Sequence, residues 1–214
     1  MLLPDHNKAE RGFTLIELMV TVAVIVVLVL LAVPSFEGVR QRSAVRGASD
    51  QVYSFWQRAR IEAIKRNSMI KVSISQTNSG AQFCLGAATT TSSTDTTPCD
   101  CTSAAPASNV CNVARFPSDM GDSQAEWNLV TLGSYKLGAS DWPTSSTIQP
   151  AIIEPKRSSL TSTSAAGSIT LIGPPGRFSY KMNLVVDKFG RAVTCDSNSA
   201  THHLPEYNDR RCAP

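Results

Sequence analysis

The stretch Phe13-Thr14-Leu15-Ile16-Glu17-Leu18-Met19-Val20-Thr21-Val22-Ala23-Val24-Ile25-Val26-Val27-Leu28-Val29-Leu30-Leu31-Ala32-Val33 decides how this chain is read. Only Thr14, Glu17 and Thr21 are polar in this run of 21 residues. As a helix rising ~1.5 Å per residue it would span roughly 30 Å, the hydrocarbon thickness of a bilayer. A secretory signal has a shorter apolar core and a small-residue cleavage site. Here the run gives way to Pro34-Ser35-Phe36-Glu37, a poor match to such a site. The run therefore predicts a membrane helix, with a cleaved signal peptide as the competing reading.

The whole 214-residue chain has 42% hydrophobic and 17% charged residues, which fits one globular domain behind this segment. Twenty Lys and Arg against 17 Asp and Glu leave a net charge of +3, which excludes a polybasic nucleic-acid binder of the histone kind. Lys8 and Arg11 before the segment balance Arg40, Arg42 and Arg46 after it, so charge does not orient the helix. The six cysteines do. All lie C-terminal to the apolar run, which puts that side in an oxidising compartment.

Beyond Pro34 the helix is expected to continue to Lys65. Val45, Ala48, Val52, Phe55, Ala59 and Ala63 recur at a spacing of three to four and paint one face. Arg40, Arg42, Arg46, Arg58, Arg60, Lys65 and Arg66 outnumber Glu37, Asp50 and Glu62 on the others, a solvated surface. Such an amphipathic half needs a sheet to cover it. Strand patterns occur at 70–75, 81–85, 126–132, 147–153, 168–172, 178–186 and 191–194, the last two joined as a hairpin around Asp187-Lys188-Phe189-Gly190. The Ser-, Thr- and Ala-rich stretches 87–108 and 157–167 read as exposed loops, the first pinned by cysteines. The fold class is thus α+β: a long N-terminal helix, its first half transmembrane, packed by its second half on an antiparallel β head.

Cys84, Cys99, Cys101, Cys111, Cys195 and Cys212 can form three disulfides in any of 15 connectivities. Zinc on Cys99, Cys101 and Cys111 is the alternative, against which stand the C-x-C spacing and the exported location. No metal, cofactor or enzymatic activity is expected: the His202-His203 pair has no nucleophile motif, zinc-protease motif or phosphate-binding glycine loop beside it. Lys188 and Arg191 of the hairpin, with His202, His203, Tyr207, Arg210 and Arg211 of the C-terminal loop, are expected near one end of the head and are materials for binding phosphates and stacking bases. A solvated structural loop is the competing reading.

Glu17, the fifth residue counted from Phe13, is costly in an apolar segment and therefore implies a partner or a function. Together with Arg11-Gly12 before it and the apolar run after it, the string resembles the type IV prepilin signal. The resemblance implies cleavage by a prepilin peptidase between Gly12 and Phe13 and N-methylation of Phe13. It implies that Glu17 compensates the Phe13 amine in the assembled filament and sets register between subunits. Pro34 matches a helix-loosening proline of the family. Ala59-Arg60-Ile61-Glu62-Ala63-Ile64-Lys65-Arg66, running into Ile70-Lys71-Val72, resembles the GspH/FimT branch, which holds minor pilins and a minor pseudopilin of type II secretion.

That resemblance lays the chain out as a leader (1–12), a filament-core or transmembrane helix (13–34), its amphipathic continuation (35–66) and a periplasmic head (67–214). Its partners would be other pilins, inner-membrane lipid and, for DNA-receptor members of the branch, DNA. The resemblance also implies a Cys195–Cys212 bridge closing the C-terminal loop, which would stabilise by roughly 3 kcal/mol. Of the branch's Gly-Arg-x-Arg element only Gly190-Arg191 is present, with Val at position 193.

Overall fold

The computed structural model describes residues 12–77, 82–101, 109–116, 130–137, 148–161, 164, 166–174, 178–198, 200–207 and 211–212, with backbone alone at 31–35 and 77. It divides into two compact units, Met1–Gly38 and Val39–Pro214. Helix α1 (Leu15–Arg66) contributes to both.

Both helix ends are dictated by local chemistry. The Thr14 hydroxyl accepts the Glu17 backbone N–H at 3.3 Å, the N-cap of a Thr-x-x-Glu capping sequence. At the other end Asn67 adopts a φ of 47°. The Ser68 N–H then reaches the Ala63 carbonyl at 3.2 Å and the Asn67 N–H reaches Ile64 at 3.1 Å. That is a Schellman ending with asparagine in the left-handed position that usually takes glycine. Lys65 and Arg66 in the last turn complement the helix dipole.

In the first unit the described apolar side chains of α1, up to Leu30, are exposed. Among the described residues no helix is long and apolar enough to cross a membrane. The side chains of 31–35 lie outside the description, and the backbone of α1 is helical through them, Pro34 included.

The second unit holds nine described strands: β1 (Met69–Thr77), β2 (Gln82–Thr90), β3 (Ala114–Phe116), β4 (Thr131–Lys136), β5 (Ala151–Ile153), β6 (Gly167–Ile172), β7 (Lys181–Val186), β8 (Ala192–Ser197) and β9 (Arg211–Cys212). They form two sheets, ordered β3-β2-β1-β5 and β4-β6-β7-β8-β9. All pairings are antiparallel except β8 with β9, which run parallel with Asp196 opposite Arg211.

The core forms where α1 meets both sheets. Val52, Phe55, Trp56, Ala59 and Ala63 bury against Ile70, Val72 and Ile74 of β1 and Ile169, Leu184 and Val186 of the second sheet. Val45, earlier on that face, packs in a separate cluster with Tyr180, Met182, Leu204 and Tyr207. Alternation along β1 sends Lys71 and Ser73 to the opposite face. The buried Lys71 ammonium donates to Asp95 at 3.1 Å and to the Thr97 carbonyl at 2.8 Å. Burial pulls the Asp95 carboxyl upward, but hydrogen bonds from the Thr97 N–H, Thr90 and Lys71, with the Lys71 charge, outweigh it and hold the group below its ordinary range.

Several strand expectations shift. The run 81–85 extends to Thr90, 147–153 shortens to Ala151–Ile153, and 178–186 begins at Lys181 because Phe178 and Tyr180 turn onto the C-terminal loop. Of the expected strand 126–132, positions 126–129 lie outside the described residues, and the described strand there runs Thr131–Lys136. The expected exposed loop 87–108 begins as buried strand, and in 157–167 Ser158, Leu160, Thr161 and Ser164 are buried. Strands β3 and β9 have only three and two residues and no pattern to announce them.

One contact joins helix to hairpin. The Trp56 indole N–H, buried, donates to the Gly190 carbonyl at 2.9 Å. Gly190 has a φ of +74°, and a Cβ there would overlap the carbonyl oxygen of Ser158. Both backbone conformation and space demand glycine. Gly190→Ala should therefore destabilise the chain by ~2–3 kcal/mol, read by thermal unfolding in detergent. Gly47→Ala, in mid-helix with nothing within 4 Å of the new methyl, should stabilise by about 0.5–1 kcal/mol.

Candidate functional site: the helix N-terminus and the hairpin cations

The expected site residues fall into three places. At the N-terminus Phe13 is 82% exposed and immediately precedes the N-cap. Glu17, exposed, stands in the first turn of α1, where the helix dipole favours a carboxylate. Cleavage after Gly12 would create an α-ammonium at Phe13, four residues before that carboxylate.

The second place is the β7–β8 hairpin. Its turn is closed by the Gly190 N–H on the Asp187 carbonyl and the Asp187 N–H on the Arg191 carbonyl, each 2.9 Å. The Asp187 carboxylate accepts the Arg191 backbone N–H at 2.9 Å and its guanidinium at 2.8 Å. Burial opposes ionisation of Asp187, yet the Arg191 hydrogen bonds and charge, with the Phe189 N–H, hold its carboxyl below the usual range. Phe189 projects at the tip, 56% exposed, with the Lys188 ammonium 5.3 Å and the Arg191 guanidinium 5.8 Å from its ring centre.

The hairpin does not stand alone. The Leu160 N–H donates to the Lys188 carbonyl at 3.1 Å, and Arg60 of α1 donates to Ser158 at 3.4 Å. The turn that carries exposed Lys156 and Arg157 is thereby laid against the hairpin that carries exposed Lys188 and Arg191. Arg60, Lys156, Arg157, Lys188 and Arg191 are thus carried by the segments that meet at this contact, with Asp187 and Glu154 as their acids. Lys156 and Arg157 were not among the candidates the sequence suggested; Pro155-Lys156-Arg157 has the look of any solvated turn.

The C-terminal loop is the third place, and it separates from the second. Arg211 is exposed but sits opposite Asp196 at the far end of β8. Five residues of strand, roughly 17 Å, part Arg191 from that position. The gathering of Lys188, Arg191 and Arg211 at one end of the head, expected from sequence, is therefore corrected to two locations. Arg210 lies outside the described residues.

Other members of the loop are inward. Tyr207 is buried against Val45 and Tyr180, so it offers no free face for stacking. His203 shares a 2.7 Å hydrogen bond with the fully buried carboxylate of Asp196, which also accepts the Leu204 N–H at 3.3 Å. His202 accepts the Ser179 N–H at 3.4 Å and meets the Phe178 ring edge-on at 5.1 Å. Cys195–Cys212 ties the loop, while Cys84–Cys101 and Cys99–Cys111 tie the segment after β2. The cysteines considered for zinc are thus joined by disulfides.

Residues 7–33 match the family model described as the prokaryotic N-terminal methylation motif. The motif indicates a type IV pilin-like protein, of pilus or pseudopilus, and implies processing by a prepilin peptidase and assembly with other pilins. No solved structure matches the chain.

Asp187 neutralises Arg191 above the ordinary carboxylate range, and this ion pair is lost as pH falls through the lowered pKa of the folded state. Asp187→Asn keeps an acceptor for the backbone and removes the charge, so at pH 7 the variant should elute from heparin at higher salt than the parent. The difference should close once the pH is low enough to protonate Asp187 in the parent. Equal elution at pH 7 would mean that the hairpin does not meet the polyanion.

Proposed function

We propose that this chain is a minor pilin of a type IV pilus, of the GspH/FimT branch, held in the inner membrane by residues 13–34 before it enters the filament. The observation that carries the reading is Glu17 in the capped first turn of an apolar helix, directly after Gly12-Phe13. The role is structural rather than catalytic. An acid at that point is poorly suited to lipid and well suited to a cation in a dry interface. The amine of Phe13, its own or a neighbour's, is that cation. The bulk of the disulfide-tied loops, more than a compact pseudopilin head requires, favours a type IV pilus over a type II secretion pseudopilus, with a place near the tip beside other minor pilins.

Glu17→Ala should leave the protein cleaved and membrane-held while its content in sheared filaments falls at least tenfold. Normal incorporation would remove the assembly role. Deleting the gene should cost twitching or transformation and spare protein secretion; lost secretion with intact pili would make the chain a pseudopilin instead.

DNA binding is a second reading, favoured by the cations around the Gly190–Ser158 contact and the exposed Phe189 among them. Phosphate contacts carry no sequence information, so binding would be unspecific. The three cations that no described carboxylate balances, Lys156, Arg157 and Lys188, would neutralise about three phosphates on duplex DNA and give a slope of log K against log salt of about −2.7. Alanine at Lys156, Arg157, Lys188 and Arg191 together should abolish this slope, whereas Arg211→Ala should change it little. If the fourfold variant binds as the parent does, the hairpin is only structural.

A further inference from the structure

The four cysteines of β2 and the segment after it are bridged in an interleaved order. Cys84 joins Cys101, and Cys99 joins Cys111, so each loop encloses one cysteine of the other. Cys99 and Cys101 flank the single residue Asp100, whose backbone pairs with the 109–111 segment through the Asn109 carbonyl at 2.8 Å and the Cys111 N–H at 3.0 Å. In extended chain, residues two apart point to the same side. Both sulfurs therefore face strand β2, and exchanging their partners is a slide of two residues.

Chain statistics do not choose the native order. The native bridges span separations of 17 and 12 residues, and the consecutive alternative, Cys84–Cys99 with Cys101–Cys111, spans 15 and 10. Loop-closure entropy hardly distinguishes such lengths. Export from the N-terminus presents Cys84 and then Cys99 to an oxidant before Cys101, which favours the wrong first bridge. What selects the native pairs is the folded packing. All four cysteines are buried in one cluster with Ala88. A Cβ on Gly86 would overlap the Cys111 sulfur and lie 2.9 Å from the Cys101 Cβ. The Cys99 N–H docks on Ser73 at 2.9 Å, beside the Lys71–Asp95 pair. Once buried, the sulfurs are out of reach of further exchange.

We infer that this protein is a substrate of a periplasmic thiol–disulfide isomerase, a dithiol enzyme kept reduced, which resolves Cys84–Cys99/Cys101–Cys111 into the interleaved pair. The enzyme thiolate attacks Cys99, the Cys84–Cys99 bond breaks, and Cys84 leaves as thiolate. Cys84 attacks Cys101 and expels Cys111. The Cys111 thiolate then attacks Cys99 in the mixed disulfide and returns the enzyme thiolate. Two disulfides enter and two leave, so no net electrons are transferred. The inference rests on the exported head proposed above, but its chemistry is testable apart from any filament. Cys195–Cys212, consecutive in the chain, needs no such help and serves as an internal control.

The full chain, reduced and denatured, is returned to detergent with oxidised glutathione, with or without a catalytic amount of a bacterial disulfide isomerase and its reductant. Acid quench and mass mapping of unreduced peptides then read the pairings. Four cysteines allow three connectivities, so the unassisted arm should hold about half or less of the native pair and the isomerase should raise it about two- to threefold. Cys195–Cys212 should form equally in both arms, which shows that oxidation itself proceeded. Equal rate and yield of the interleaved pair without enzyme would overturn the inference. Replacing Cys99 and Cys111 by serine leaves Cys84 and Cys101 with no competitor between them. Their bridge should then form independently of the isomerase, and a dependence that survives in that variant would also overturn it.

Discussion

The Trp56 indole, bonded to the carbonyl of Gly190 inside the core, fixes the level at which the helix meets the β7–β8 hairpin. Once that level is set, the inner face of α1 from Val52 to Ala63 has one way to cover both sheets. The same contact requires a glycine whose missing side chain admits the Ser158 carbonyl. Through Ser158 it brings the 154–160 turn, and with it Lys156 and Arg157, onto the hairpin. A single buried hydrogen bond is worth only ~1–2 kcal/mol net. Its influence is geometric, because a large ring packed to interior density cannot slide along the helix without opening a void.

The helix was legible from its apolar period alone, and its caps emerge only in the structure. The face Val45, Val52, Phe55, Ala59 and Ala63 is buried, with Ala48 partly so, and Thr14 and the residues around Asn67 end the element at either side. The longer strands were legible as alternating runs. Two things were not. Short strands such as β9 owe their pairing to a disulfide and a neighbour, not to a pattern of their own. Spatial grouping of surface charge is the other: Lys188 and Arg191 looked like neighbours of Arg211 because a disulfide joins the flanking segments. Strand β8 is extended, so its two ends cannot share a site.

The chain thus separates its chemistry by location. Its first turn carries an acid, Glu17, at the capped start of an apolar helix. Its head, stabilised by a helix face, two sheets and three disulfides, presents cations that no described carboxylate balances at Lys156, Arg157 and Lys188. The buried Asp196–His203 contact, the Tyr207 anchor and the Arg46–Glu206 pair at 3.5 Å fasten the C-terminal loop to the body of the head. That loop is therefore better understood as a brace for the helix than as an extended binding arm.

If the N-terminal string is a processing and assembly signal, the mature N-terminal peptide carries the mark of it. The chain is expressed with a prepilin peptidase, purified from membranes or sheared filaments, digested and sequenced from its N-terminus. The mature chain should begin at Phe13 with a methylated α-amine. A mature chain that begins after Pro34, or one that retains residues 1–12 in the presence of active peptidase, would contradict that role.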